Sequence, residues 1–262
     1  MAASDGAGNL ESQDFAIRVT KRGGDRGVLA GASEVGKSTL AKQLCTDFYA
    51  TYIEGKPPKV QGRELIIDTK PRWRGTQTPM GGSLRQRYKN FVPGDTLDAV
   101  VLNDINDFEL AFDGRYNNRA VIAQNLALED DALIRWQVQV IRKYFNTQKA
   151  RQPSLLYIDE GMDFFGPTGN GKYGNIVQRC VRAGREKNLA TLIGVQRTKT
   201  INLQVLTECN VLYLFMLNYE EDVKRLHEMG FPRNATCPTD PYIFRFYRDR
   251  KLYPHGLTLA RP

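Results

Sequence analysis

The chain has 262 residues, 41% hydrophobic and 25% charged, with a formal net charge of +8 and a pI near 9.3. This is ordinary globular composition, and no run approaches the ~20 apolar residues that a membrane helix needs, so stable membrane insertion is not expected. Cys45, Cys180, Cys209 and Cys237 form no C-x-x-C pair and only two histidines occur, which argues against zinc and disulfides and for a reducing, cytoplasmic setting.

In chain order, residues 1–14 have neither a basic n-region nor an apolar h-region, so a disordered leader is expected rather than a signal peptide. Residues 15–262 are expected to form one domain. Phe15 to Thr20 alternates like a strand, Lys21 to Arg26 reads as a basic turn, and Gly27-Val28-Leu29-Ala30 reads as a short buried strand. Gly31-Ala32-Ser33-Glu34-Val35-Gly36-Lys37-Ser38 then fits the phosphate-binding pattern G-x-x-x-x-G-K-[ST], with a helix expected from Thr39 to Tyr49. Strand, glycine loop and helix in that order make an anion site. Glycines let the backbone close around phosphate, successive N–H groups point inward, and the helix start adds partial positive charge. Lys37 would reach the β- and γ-phosphates of ATP, and the Ser38 hydroxyl would ligate Mg²⁺.

Glu64 to Asp68 reads as a strand ending in a carboxylate. From Thr69 to Gly94 there is no acid at all, and Lys70, Arg72, Arg74, Arg85, Arg87 and Lys89 are interleaved with Trp73, Tyr88 and Phe91. Glycines and prolines rule out one continuous helix, so a long basic loop is expected, with a short helix from Ser83 to Asn90. Such a loop suits nucleic-acid phosphates and stacked bases, or a lid over the nucleotide, or a subunit contact. Asp98 to Leu102 and Ala120 to Ala123 are short strand candidates. Glu129 to Asn146 is a helix, with acids opening it, Arg142 and Lys143 closing it, and Ile134, Val138, Ile141 and Phe145 on one apolar stripe.

Ser154-Leu155-Leu156-Tyr157-Ile158-Asp159-Glu160 is an apolar run ending in two acids, the Walker B form. Strands buried on both faces read this way, and their carboxyl ends open on the ligand crevice of a parallel sheet. Asp159 would hold Mg²⁺ and Glu160 would orient and deprotonate the attacking water. A loop from Phe165 to Asn175 carries Lys172 and Tyr173. Arg179, Arg182 and Arg185 recur at i, i+3 on the following helix and share a face. The strand Ala190 to Val195 ends at Gln196, a polar group suited to sensing a γ-phosphate.

This order of motifs resembles the FtsK/HerA superfamily of DNA-pumping P-loop ATPases. The matching segments are Ile158-Asp159-Glu160-Gly161-Met162-Asp163, Arg182-Ala183-Gly184-Arg185-Glu186-Lys187-Asn188 and Val195-Gln196-Arg197-Thr198, then Asn210 to Phe215 and the acidic helix Glu220 to Leu226. Three departures stand out: Asn188 replaces the family's glycine, Thr198 replaces the proline after Gln-Arg, and the phosphate loop lacks a Gly-x-Gly centre. A compact ATPase domain with almost nothing attached is similar to viral genome-packaging ATPases. The resemblance implies an α/β fold, a doubly wound RecA-like (ASCE P-loop NTPase) mostly parallel sheet with helices on both faces. It also implies a homo-oligomeric ring, a hexamer, pumping double-stranded DNA in the host cytoplasm or virion, with a capsid or portal-type partner. In that ring one or more of Arg179, Arg182 and Arg185 would act as a trans arginine finger, while Arg72, Arg74, Arg85, Arg87, Lys89 and Lys172 would grip DNA. Another FtsK/HerA-type DNA pump, for conjugation or for plasmid or chromosome transfer, is the alternative; readings outside the superfamily are weaker. A GTPase switch would carry an N-K-x-D element, which is missing. An ABC-type signature would lie just before Walker B, whereas Met80-Gly81-Gly82-Ser83 lies far upstream. A small-molecule P-loop kinase and a pure nucleotide-binding module remain open.

Overall fold

The computed structural model describes residues 15–20, 23–57, 60–69, 76–80, 83–89, 96–112, 120–149, 151–165, 173–228, 230–231, 237–249, 251–253 and 257–258, with backbone only for 76–80, 83–89, 96–98 and 257–258. The expected leader, residues 1–14, lies outside these. β1 (Val19–Thr20) and β2 (Gly23–Gly24) form a small antiparallel ribbon ahead of β3 (Arg26–Ala30). There follow α1 (Lys37–Tyr52), β4 (Arg63–Ile67), β5 (Thr76–Met80), β6 (Ser83–Lys89), β7 (Thr96–Leu102), α2 (Phe108–Phe112), β8 (Ala120–Ala123) and α3 (Asp130–Asn146). The second half runs β9 (Ser154–Ile158), α4 (Met162–Phe165), α5 (Gly174–Ala183), β10 (Leu189–Val195), α6 (Leu203–Glu208), β11 (Val211–Leu214), α7 (Glu220–Glu228), β12 (Ile243–Arg248), β13 (Lys251–Leu252) and β14 (Leu257–Thr258).

One sheet organises these elements, in the order β13-β12-β11-β3-β10-β9-β4-β8-β7-β6-β5, with β14 pairing to β12. It is parallel from β11 through β7 and antiparallel at both margins. The chain is therefore α/β with a mostly parallel sheet, and β10 lies between the strand entering the phosphate loop and the strand carrying the two acids. The central strands are apolar throughout because both faces are covered. Leu40, Leu44 and Phe48 of α1 pack with Leu29, Ile66 and Tyr157 on one face. Val138, Ile141 and Phe145 of α3 and Val177 of α5 pack with Val28, Leu65 and Ile158 on the other. Leu44 is fully buried, and truncating such a leucine to alanine costs ~2–5 kcal/mol.

Helix α3 starts with Asp130 and Asp131 in its first turn and carries Lys143 in its last, matching the helix dipole at both ends. Its stripe is wider than the expected one: Trp136, Gln137, Val140 and Tyr144 are also buried, while Ile134 is half-buried. Asn188 adopts a left-handed conformation, φ 53°, after the turn that follows α5. Asparagine tolerates that region better than most residues, which accounts for its standing where the resembling family has glycine.

Two expectations are corrected. The basic segment is not a long loop with a helix over Ser83 to Asn90: β5 and β6 form an antiparallel hairpin that extends the sheet from β7. Its basic residues alternate (Arg85, Arg87, Lys89), which is strand periodicity, and the open edge of β7 supplies the backbone partners. Pro79 is accommodated because β5 is an edge strand. The strand expected from Phe15 to Thr20 is reduced to Val19–Thr20. Phe15 and Ile17 are buried instead, and the Phe15 carbonyl accepts a hydrogen bond from the Tyr213 hydroxyl.

Candidate active site

The candidate phosphate-binding segment leaves β3 at Ala30 and turns into α1 at Lys37. Its start is pinned from both sides: Gly31 N–H donates to the Val195 carbonyl at 3.1 Å and Ala32 N–H to the Met216 carbonyl at 2.8 Å. Gly31 is required by this crowding, since a Cβ there would stand 2.5 Å from Phe215 Cβ. Gly36 takes φ 100°, which only glycine adopts readily. Ser33 and Glu34 at the apex are exposed, and Val35 and Gly36 are buried. Ser38 and Thr39 lie half-buried in the first turn of α1. The Lys37 ammonium folds back onto the loop, donating to the carbonyls of Gly31, at 2.6 Å, and Ala32.

Gln196 follows β10, and the β10–β3 register sets Val195 beside Ala30. The Gln196 side chain therefore stands between the loop and the acids. Its Oε1 accepts from the Ser33 hydroxyl at 3.1 Å, and its Nε2 donates to Glu160 Oε2 at 2.7 Å. Glu160 is 1% exposed and Asp159 4%. The Tyr157 hydroxyl donates to Asp159 Oδ1 at 2.7 Å from beneath the strand end. Burial, and then the Asp159 charge, push the Tyr157 hydroxyl well above its usual pKa, so it stays a donor.

Around Asp159 the fold gathers residues that sequence reasoning did not assign to the site. Asp68 follows β4 one residue past the paired Ile67 and Ile158. It is 2% exposed and accepts from Gln124 Nε2 at 3.0 Å. Lys42, one helical turn beyond Ser38, is held below its usual pKa by burial, against the opposing pull of the Asp68 and Asp159 carboxylates. Under α1, Glu64 is fully buried and its carboxyl is pushed up to about 8 by desolvation, with the Cys45 thiol beside it. The only sequence signal for Asp68 was its position at the end of an apolar run; its closeness to Asp159 is a product of strand order. Ser38 and Asp159 offer oxygen donors, the set that suits a hard cation retaining water and phosphate ligands; this donor set fits Mg²⁺.

The arginines separate. Arg179 and Arg182 are exposed on α5 and line a cavity of about 460 Å³ with Asn175, Gln178, Ala183 and Glu186. The Arg179 guanidinium also lies 5.1 Å from the Phe145 ring. Arg185 sits beyond the helix, in a 3₁₀ turn, so the i, i+3 spacing does not carry it along the same helical face. Its stem covers Gly23 so closely that a Cβ there would be 2.4 Å from Arg185 Cγ. Tyr173 donates to Asp131 Oδ1 at 2.8 Å. Arg72, Arg74 and Lys172 lie outside the described residues. Arg85, Arg87 and Lys89 have their backbone in β6, with side chains outside the description.

Past Gln196, Asp222 of α7 is completely buried and accepts from Arg197 Nε at 2.6 Å, Thr198 Oγ1 at 3.2 Å and Lys199 N–H at 3.0 Å. Thr198, where the resembling family has proline, also donates to the Asp222 carbonyl at 2.7 Å. The turn after β10 is thereby latched to α7. At the opposite end of the sheet, Asn210 Oδ1 accepts from Arg26 N–H at 2.8 Å and its Nδ2 donates to Asp25 at 3.1 Å, tying β11 to β3.

No protein-family model matches the chain, and no curated protein matches it in sequence. Solved structures do match. The genome packaging NTPase B204 from Sulfolobus turreted icosahedral virus 2 in complex with AMP superposes with a TM-score of 0.57 at 16% identity, over 90% of this chain and 98% of that one. The same protein with sulfate gives 0.55 at 16% identity, over 92% and 100%. EssC (ATPases 2 and 3) from Geobacillus thermodenitrificans gives 0.50 at 10% identity, over 86% of this chain and 38% of that one. At these identities the likeness is one of fold. The chain shares their fold, the RecA-like α/β architecture that its motif order implied.

Proposed function

We propose that the chain is an ATP-driven DNA translocase, a viral genome-packaging ATPase working as a homo-oligomeric ring on double-stranded DNA. One observation carries the reading. Three neighbouring parallel strands, β3, β10 and β9, end in a phosphate-type loop, a glutamine and an acid pair, and hydrogen bonds join loop to glutamine to acid. Strand ends at such a crevice are where α/β sheets bind ligands.

In this reading Lys37 leaves the Gly31 and Ala32 carbonyls to pair with the β- and γ-phosphates of ATP. The backbone N–H groups from Ser33 to Thr39 cradle the phosphates, while those of Gly31 and Ala32 anchor the loop to its neighbours. Ser38 and Asp159 would hold Mg²⁺, which would supply positive charge against the transferred phosphoryl group. Glu160 accepts the proton of the attacking water, and Gln196 reports whether the terminal phosphate is still present. Arg182 and Arg179, exposed beside a cavity on α5, are better placed than Arg185 to enter a neighbouring subunit's site. Arg185 is exposed too, but its stem packs over β2. Such trans arginines contribute ~10³–10⁵ in rate, so a lone subunit would turn over slowly. DNA grip falls to Arg72, Arg74, Arg85, Arg87, Lys89 and Lys172, and the virion or host cytoplasm is the place of action.

The test is ATP turnover by purified protein with and without duplex DNA, with GTP as comparison. The reading expects ATP preference and DNA stimulation. Preference for GTP, or DNA-independent phosphate transfer to a small acceptor, would replace it with a switch or a kinase.

A further inference from the structure

We infer that Ser33 is a positioning residue for hydrolysis: its hydroxyl tethers the oxygen end of the Gln196 side-chain amide to the phosphate loop, and through that amide fixes where Glu160 is held. The inference rests on the ATPase reading for its kinetic consequence, but the geometry stands without it. A primary amide has one accepting end and one donating end, whereas an ionised carboxylate only accepts. Gln196 can satisfy Glu160 only with its nitrogen turned that way, and its oxygen then faces the phosphate loop and needs a donor there. The Ser33 hydroxyl supplies it at 3.1 Å, while the far end of the same amide reaches Glu160 Oε2 at 2.7 Å. Alanine at position 33 would leave the oxygen without its donor on the loop, and the amide, held then at its Glu160 end alone, would be free to swing away from the loop.

The contact follows from how the sheet is built. Gly31 N–H donates to the Val195 carbonyl at 3.1 Å, so the end of β10 and the start of the loop are stitched together immediately before Gln196 and two residues before Ser33. The Ser33 side chain is exposed at the mouth of the loop, where a bound terminal phosphate would present only acceptor oxygens. Ser33 has a single proton to donate. It goes either to Gln196 or to a phosphate, so occupancy of the loop changes the partner of Gln196 Oε1. Gln196 passes that change to Glu160 across the β10–β9 boundary. Residues 163 and 36 positions apart in sequence thus form one relay.

The experiment compares Ser33→Ala, Ser33→Thr, Gln196→Ala and the Ser33→Ala/Gln196→Ala pair in steady-state ATP hydrolysis with duplex DNA. Loss of one hydrogen bond that orients a catalytic group predicts a ~10-fold lower kcat for Ser33→Ala with KM within about 2-fold. Threonine, which keeps the hydroxyl, should restore kcat to within ~3-fold, and the double variant should be no worse than Gln196→Ala alone, as for residues acting through one another. A rise in KM at constant kcat, a failure of threonine to restore, or effects that multiply in the double variant would overturn the inference. A second measurement needs no turnover. In nucleotide-free protein with ¹⁵N-labelled glutamine, the Gln196 side-chain NH₂ signal should move in Ser33→Ala and in Glu160→Ala. An unmoved signal in Ser33→Ala overturns the inference even if the wild type hydrolyses ATP. If the wild type hydrolyses nothing, the proposed function falls, and the NH₂ signal still decides the role of Ser33.

Discussion

Tyr157→Phe isolates a single hydrogen bond beneath the acid pair. The Tyr157 ring is 1% exposed and its hydroxyl donates to Asp159 Oδ1 at 2.7 Å. Phenylalanine has the same shape less one oxygen, so packing under α1 is kept and the cavity term is small. What is lost is a hydrogen bond to a charged acceptor, ~1.5–3 kcal/mol. Asp159 is itself 4% exposed, so water replaces the donor poorly, and a loss of about 2 kcal/mol in unfolding free energy is expected. The same bond fixes the rotation of the carboxylate proposed to face Mg²⁺. Half-maximal Mg²⁺ for nucleotide binding should therefore rise ~5–10-fold, the equivalent of ~1–1.4 kcal/mol of lost pre-organisation. Urea unfolding and Mg²⁺ titration of fluorescent-nucleotide binding read the two effects separately. A variant with parental urea midpoint and parental Mg²⁺ requirement would refute the reasoning, because the bond would then neither stabilise the fold nor orient Asp159.

Other outcomes follow from the same geometry. Glu160→Gln should retain ATP binding and lose turnover by at least ~10²-fold, the usual contribution of a general base; near-parental turnover removes Glu160 from that role. Glu64 keeps its proton in the fold up to about pH 8, against 4.5 for the usual carboxyl. The folded state thus binds a proton that the unfolded chain releases, so this contribution is complete below the usual value and declines as pH rises toward about 8. Glu64→Gln should remove that slope and gain stability relative to the parent across this window in urea titrations; parallel profiles would count against a buried neutral Glu64. Asp222→Ala strips partners from Arg197, Thr198 and Lys199. Because Arg197 is 31% exposed on its side chain and can rehydrate, the cost should be ~2–3 kcal/mol, below that of a fully buried pair. An unchanged thermal midpoint would show that the latch contributes nothing. Mixing Lys37→Ala subunits with Arg182→Ala subunits should recover activity that neither has alone, whereas absence of rescue removes Arg182 as the trans group.

Much of the fold was legible because its signals are short-range. The run Ser154 to Ile158 is continuously apolar because β9 is covered on both faces, and α3 announces itself through charges at both ends and an apolar stripe. The β5–β6 hairpin was harder. Arginine and lysine at alternate positions mark a strand only if a neighbouring edge accepts its backbone, and β7 provides that edge. Arg185 was grouped with Arg179 and Arg182 by spacing, but α5 stops at Ala183 with Gly184 as its cap, and the turn redirects the side chain over Gly23.

The amino-acid order by itself determined the phosphate-type loop, the acid pair and the glutamine, since each is a contiguous stretch whose local backbone and side-chain chemistry require those residue types. Only the tertiary structure decided that β10 lies between β3 and β9, and hence that Ser33, Gln196 and Glu160 join, that Asp68 stands beside Asp159, and that Tyr157 supports it. The reason is physical: strand neighbours are chosen by long-range backbone pairing and by helices covering both faces. That choice leaves no mark within any one segment, yet it sets every distance in the site.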